Sequence, residues 1–224
     1  MGTVKVSNIE KLNIKTYSKI ANEYTPLIHK TTALFYELGD NLFDLEISKI
    51  NQKSNILEIG SGRGYLTDKI LRNNPDSIIT DISMNMLTKI RSDRFVKKIC
   101  CSVFSLPFLN NQFQFVLSSL ASSFLIDEAL KEIYRVLVKN GFFIFSYPSK
   151  ITFNKIRTNE NLNAFIDING NKLMAYSFLY DEEQLNNIAQ RNGFNIIEYK
   201  TISKKIADNK YDIPILQFVK IRKY

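Results

Sequence analysis

Long apolar runs are missing from this chain of 224 residues. No stretch approaches the ~20 residues of a membrane-spanning helix, and the mean hydropathy is −0.14, so no membrane span is expected. The opening MGTVKVSNIEKLNIK lacks the apolar core of a secretory signal, which argues for a cytoplasmic location. Val6 stands where a myristoylation signal following Gly2 wants Ser or Thr. Histidine is almost absent: the single His29 excludes any multi-histidine centre, and no metal is expected. The two cysteines, Cys100 and Cys101, are adjacent and form neither a disulfide framework nor a metal signature. On a strand they would face opposite sides and read as small buried apolar residues. A concentrated basic tract is missing too. The formal net charge is +8 and the pI about 9.3, which suits an anionic partner. Yet the densest basic groups are only Lys97-Lys98, Lys204-Lys205 and Arg222-Lys223, so nucleic acid is not expected as a partner. Repeats and low-complexity tracts are also lacking.

What is present is an ordinary globular composition, 45% hydrophobic and 23% charged, enough for one large domain with a sizeable core. The chain is organised around residues 55–66, NILEIGSGRGYL. An apolar run carrying Glu58 breaks into Gly60, Gly62 and Gly64, and helix-like sequence follows. A buried parallel strand turning sharply into a helix reads this way. From there the rhythm is strand, helix, strand, helix, which argues for an α/β fold with a parallel sheet covered on both faces.

Strands are expected at 55–59, 77–80, 95–101, 113–118 and in GFFIFSY, with helices marked by Leu66, Ile70 and Leu71, then by Met86, Leu87 and Ile90. Asp127 suits the N-cap of a helix built on Leu130, Ile133, Tyr134 and Leu137, which Asn140-Gly141 would end. FIDI-NG-NKLMAY reads as a β-hairpin, with Asn169-Gly170 in a two-residue type I′ turn. Asp181 and Gln184 form a capping-box pattern ahead of a helix that Gly193 ends. Two closing strands, 194–201 and 213–221, can pair antiparallel. Upstream, residues 1–15 read as a polar, poorly ordered tail. Tyr17, Ile20, Ala21 and Tyr24 then mark one face of a short helix, followed by a second helix. That face either glues the helix to the domain or sends tyrosine hydroxyls towards a ligand.

Asp81 lies 21 residues beyond Gly60, at the end of the second strand, where an acid can accept both hydroxyls of a ribose. The dinucleotide fingerprint wants glycine at position 65, where Tyr65 stands, and no acid at 58. Glu58 would repel a pyrophosphate but not a cationic ligand with a free amino group. EIGSGRG, ITDISMNML, SLPF, FQFVLSS and EIYRVLVKNGFFIFSYP, in this order, resemble the class I S-adenosylmethionine-dependent methyltransferases. The likeness covers roughly residues 15–200 and is closest to the small-molecule branch typified by ubiquinone/menaquinone-biosynthesis enzymes.

The resemblance implies a Rossmann-like seven-stranded sheet, order 3-2-1-4-5-7-6 with the last strand antiparallel, and S-adenosyl-L-methionine as cofactor, with S-adenosyl-L-homocysteine as product. It implies that residues 1–54 form a helical segment covering the cofactor site. Residues 55–224 would form the core, with a lid or hairpin insertion at about 149–180. Glu58 would fix the turn, with Gly60, Ser61 and Gly62 lining the methionine moiety and Ser118 near its methionyl end. Asp81 would hold the ribose, and Ile82 and Met86 flank the adenine. Tyr17 and Tyr24 match the tyrosines of the YSKIANEY leader. Two positions depart from the family pattern. Ser102, next to Val103 and Phe104, stands where an acid usually accepts from the adenine amine, a change worth about 1–2 kcal/mol. Gln114 replaces an acid in the fourth strand.

The function expected is methyl transfer to a small-molecule acceptor at O, N or C, by a monomer or homodimer. An RNA or protein methyltransferase using the basic surface, and a non-catalytic cofactor-binding protein, remain as alternatives. No general base is assigned; His29, Tyr17 and Tyr24 are the candidates, and His29 reads first as a structural or solvent-exposed residue. The hairpin is either a substrate cover or a dimer edge.

Overall fold

The computed structural model describes residues 5–92, 95–154, 161–205 and 212–224. The first four residues of the expected tail and residues 155–160 of the expected lid fall outside these. Two helices lead, α1 (Val6–Ile20) and α2 (Lys30–Ser48). The alternating core follows as β1 (Ile56–Glu58), α3 (Thr67–Asn73), β2 (Ile78–Asp81), α4 (Met84–Leu87), β3 (Lys97–Cys100), β4 (Phe113–Ser118), α5 (Asp127–Val136) and β5 (Leu137–Pro148). A short helix α6 (Lys150–Phe153) precedes the hairpin β6 (Leu162–Ile166) and β7 (Lys172–Tyr176). Helix α7 (Glu182–Arg191) and the long strands β8 (Phe194–Lys204) and β9 (Ile213–Lys223) complete the fold.

Seven strands form one sheet in the order β3-β2-β1-β4-β5-β9-β8. The first five run parallel, and β9 is antiparallel to both of its neighbours. The expected order 3-2-1-4-5-7-6 numbered only the strands of this sheet; the hairpin strands come between, so the last two become β9 and β8. Side chains alternate between the two faces with the period of a strand. Ile56, Leu117, Ile144 and Phe218 pack against Phe43 and Ile47 of α2 and Ile70 of α3. Leu57, Val116, Phe143 and Val219 face the opposite way, against Leu130 and Ile133 of α5 and Leu185 and Ile188 of α7. Burying both faces explains the near-continuous apolar reading of β1 and β5.

Several local expectations are corrected. Residues 6–15 are not a tail but most of α1. Ile9, Asn13, Thr16 and Ile20 form its buried stripe, and the two polar residues inside that stripe disguise its periodicity. They are buried because they serve the hairpin: Asn13 Oδ1 accepts the Tyr176 N–H at 2.8 Å, and the Thr16 hydroxyl donates to the Met174 carbonyl. The hairpin turn is not a two-residue type I′ turn. Ile166 pairs with Lys172, leaving five residues between the strands. The buried Asp167 carboxylate organises them, accepting the N–H groups of Asn169 and Asn171. Helix α5 ends at Val136, before Asn140-Gly141, because Leu137 already pairs with Phe113. Ile126, not Asp127, occupies its N-cap; Asp127 instead forms an ion pair with Arg191 of α7. The Asp181–Gln184 capping box is present as expected.

Candidate active site

Strands β1, β2 and β4 end together, and an open pocket with ≈ 940 Å³ of empty space, counted out to its mouth, lies against their carboxyl ends. This is where open α/β sheets carry ligands. The floor is the glycine turn. Gly60 has φ +61, and a Cβ there would come within 2.9 Å of the Phe124 ring. Gly62 has φ +55 and nothing within 4 Å of its missing Cβ, so its backbone is open to the pocket. Both conformations favour glycine.

Two carboxylates hold this floor. Glu58 is 1% exposed, and the only hydrogen bond to its carboxyl group among the described residues comes from the Thr67 hydroxyl at 2.7 Å, at the start of α3. Burial pushes its pKa up to about 8, the Thr67 bond opposing and nearby Asp81 adding to the shift. Asp81 ties the turn to the end of β2: one oxygen accepts the Gly62 N–H at 2.8 Å and the other the Ser83 N–H at 2.8 Å. Burial raises its pKa, while these N–H groups and that of Ile82 pull it back.

Helix α1 and the segment after it form the roof. The Tyr17 hydroxyl lies 3.0 Å from Ser123 Oγ, and the Tyr17 and Tyr24 rings meet edge to face at 6.1 Å. Burial raises the pKa of both phenols. Phe165 of β6 packs edge-on against both rings, so the hairpin closes the roof from outside. Of the residues expected from the sequence, Tyr17, Tyr24, Glu58, Gly60, Ser61, Gly62, Asp81, Ile82, Met86, Val103 and Phe104 all line the pocket. Ser102 does not; its hydroxyl turns back to accept the Phe104 N–H at 3.1 Å. Ser118 lies just beneath, its hydroxyl 3.8 Å from where a Gly60 Cβ would stand. His29 is not in the lining either. It sits against the Tyr24 and Phe165 rings, and burial lowers its pKa.

The structure also brings in residues that the sequence did not single out. Glu10 and Asn13 enter from α1, Tyr36 from α2, and Leu120 from the loop after β4. The Tyr36 ring stacks at 3.8 Å on Tyr65, whose hydroxyl donates to Asp40 and to the Tyr36 carbonyl. Leu120 has φ +60, a left-handed conformation uncommon for leucine, and Ser146 Oγ accepts its N–H. No sequence signal marks that strain. Glu10, by contrast, lies three and seven residues before Asn13 and Tyr17, a helical spacing visible once α1 is known. The lining contains three acids, Glu10, Glu58 and Asp81, and no Lys, Arg or His among the described residues.

Residues 57–145 match a family described as "Methyltransferase domain". The ubiquinone/menaquinone biosynthesis C-methyltransferase UbiE of Rickettsia typhi is 26% identical over 219 residues, covering 85% of this chain and 88% of that protein. A solved structure of an S-adenosylmethionine-dependent methyltransferase from Listeria monocytogenes superposes with a TM-score of 0.62 at 20% identity, covering 82% of this chain and 99% of that one. These likenesses support a class I S-adenosylmethionine-dependent methyltransferase. A malonyl-[acyl-carrier protein] O-methyltransferase of Priestia megaterium is also similar, 29% identical over 152 residues, 64% of this chain and 51% of that protein.

S-adenosylmethionine is the cofactor of this methyltransferase, and the pocket residues fit it. The Ser61 and Ser118 hydroxyls are buried without a partner among the described residues, at the turn where a polar ligand end would meet them. The three acids suit a ligand bearing a sulfonium and an ammonium group. No helix described here is long and apolar enough to cross a membrane, and no cluster of His, Cys, Asp or Glu among the described residues could hold a metal ion.

Proposed function

We propose that this methyltransferase alkylates a small-molecule acceptor by in-line displacement. The observation that carries the reading is the acid-lined, cation-free pocket over a glycine turn tied to Asp81. S-adenosylmethionine supplies, when bound, a methyl group already activated on a positive sulfur. The residues then have to bind, orient and exclude water, so alignment accounts for most of the acceleration.

In this reading Gly60, Ser61, Gly62 and Ser118 hold the methionyl end, and Glu58 is the counter-charge for its amino group. Asp81 accepts the ribose hydroxyls, and Ile82, Met86, Val103 and Phe104 enclose the adenine. Ser102, bonded within its own loop, contributes shape to the adenine end but no charge. Tyr17 and Tyr24 roof the site, residues 1–54 act as its cover, and the insertion at about 149–180 acts as a lid.

The acceptor then enters against the apolar part of the wall, Leu120 and Phe124, which suits an aromatic or acyl compound. Neither tyrosine is a ready base, because burial holds both phenols protonated. A nucleophile that needs little deprotonation fits best, a carbon activated by its ring substituents or an acidic oxygen. The names of the similar proteins, a C-methyltransferase and an O-methyltransferase, agree with both options.

The test is incubation of the full chain with S-adenosylmethionine labelled in its methyl group and a fractionated metabolite extract. Label is expected in the low-molecular-weight, apolar fraction. Label appearing only in RNA or protein, or no turnover by a protein that binds the cofactor, would overturn the reading.

A further inference from the structure

The hairpin tip and the loop beside it expose a group of large aliphatic side chains. Its inner face, Phe165 and Leu173, packs on Ile20, Met86 and the two roof tyrosines. The opposite face carries the cross-strand pairs Leu162–Tyr176, Ala164–Met174 and Ile166–Lys172. Ile166 is 55% exposed and Ile168, at the turn, 68%. Beside the turn lies the loop 25–29, where Leu27 is 90% exposed and Ile28 47%. The two segments are joined: the Ile168 N–H donates to Glu23 at 2.9 Å, and Phe165 meets His29 ring to ring at 6.1 Å.

Lysines frame these apolar tips. Lys30 and Lys172 are exposed at either side, and Lys19 pairs with Asp167 at 3.1 Å while remaining about half exposed. Of the two acids bonded at these tips, Asp167 is buried and Glu23 is partly exposed. Glu23 is taken by the Ile168 N–H, and Asp167 by Lys19 and the turn amides.

We propose that the hairpin tip and the 25–29 loop form a docking surface for an anionic lipid bilayer. Isolated aliphatic side chains projecting from two adjoining loop tips can enter the headgroup–acyl boundary, where lysines reach back to lipid phosphates. A lysine near an anionic leaflet strengthens such binding by about fivefold. A protein partner would instead call for a flatter apolar area with a polar rim, and the framing by lysines favours the lipid. The contact does not depend on which acceptor is methylated. It would set the outer face of the hairpin against the membrane surface.

The test is co-sedimentation of the full chain with phosphatidylcholine vesicles, with and without phosphatidylglycerol. Binding is expected only with phosphatidylglycerol, weakening as salt rises. The pair Leu27→Asp and Ile168→Asp should weaken it by at least about tenfold, and Lys30→Glu with Lys172→Glu by a similar factor. S-adenosylhomocysteine affinity, measured alongside, should be unchanged in all variants, which shows that they are folded. Wild-type protein that stays in the supernatant with anionic vesicles would overturn the proposal, as would Asp variants that sediment like wild type. Loss of a dimer in those variants, without any vesicle binding by the wild type, would make the surface a self-association face instead.

Discussion

Glu58 is the residue whose ionisation the cofactor should control. Its carboxyl is fully buried, has one neutral hydrogen-bond donor among the described residues and a pKa pushed up to about 8. In the ligand-free protein it therefore holds a proton at neutral pH that the unfolded chain would release. The folded state binds more protons than the unfolded one from about pH 4.5 to about pH 8, so stability falls as pH rises across that window. Glu58→Gln keeps an oxygen for the Thr67 hydroxyl and removes the titration. The variant should be more heat-stable than wild type at pH 8 without cofactor, and the gap should close towards pH 5. It should also bind S-adenosylmethionine at least about tenfold more weakly, because a counter-charge is gone. Melting curves across pH with parallel calorimetry check both; a variant with the wild-type pH slope would refute the buried-proton account. The acid was legible from its place before the glycines. Its dependence on Thr67 was not, because that contact exists only once α3 has folded back over the turn.

At the scale of elements, the sequence was most informative where one physical rule dominates. Strand β4 appears at the residues expected, 113–118, since its apolar run is bounded on both sides by polar residues. The capping box of α7 is equally local. Legibility failed where tertiary contacts override local signals. Residues 6–15 of α1 read as a tail because Asn13 and Thr16 interrupt the apolar stripe, and what justifies them is the backbone of a hairpin about 160 residues away in sequence. The hairpin turn was read from Asn169-Gly170 alone, while Asp167 decides its shape. Helix α1 and the hairpin are thus one unit joined by side-chain-to-backbone bonds. Asn13→Ala leaves the buried Tyr176 N–H without its acceptor, a loss of about 1–3 kcal/mol. Hydrogen exchange should then speed up in β6, β7 and the N-terminal half of α1, while β1 and β4 stay protected. Unchanged exchange in the hairpin would argue against the coupling.

For the whole molecule, the notable feature is the separation of charge. The chain carries a formal +8, yet the lining of the pocket at the glycine turn has three acids and no base among the described residues. Composition alone pointed to an anionic partner, and only the fold shows that the positive charge lies outside the site. The resemblance read from the motifs implied the seven-stranded sheet and placed Ser61 and Ser118 at the turn, but not the left-handed Leu120 or the Asp167-centred loop of the hairpin. Asp81 joins these scales: it is one residue, it ties two loops together, and it centres the pocket. The most direct test is a calorimetric titration of wild type and Asp81→Ala with S-adenosylmethionine. Wild type should bind at one site and Asp81→Ala at least about tenfold more weakly. The variant's melting temperature should also be lower, since the Gly62 and Ser83 amides lose their acceptor. Equal affinity in the two proteins would contradict the central claim that the glycine turn and Asp81 form the cofactor site.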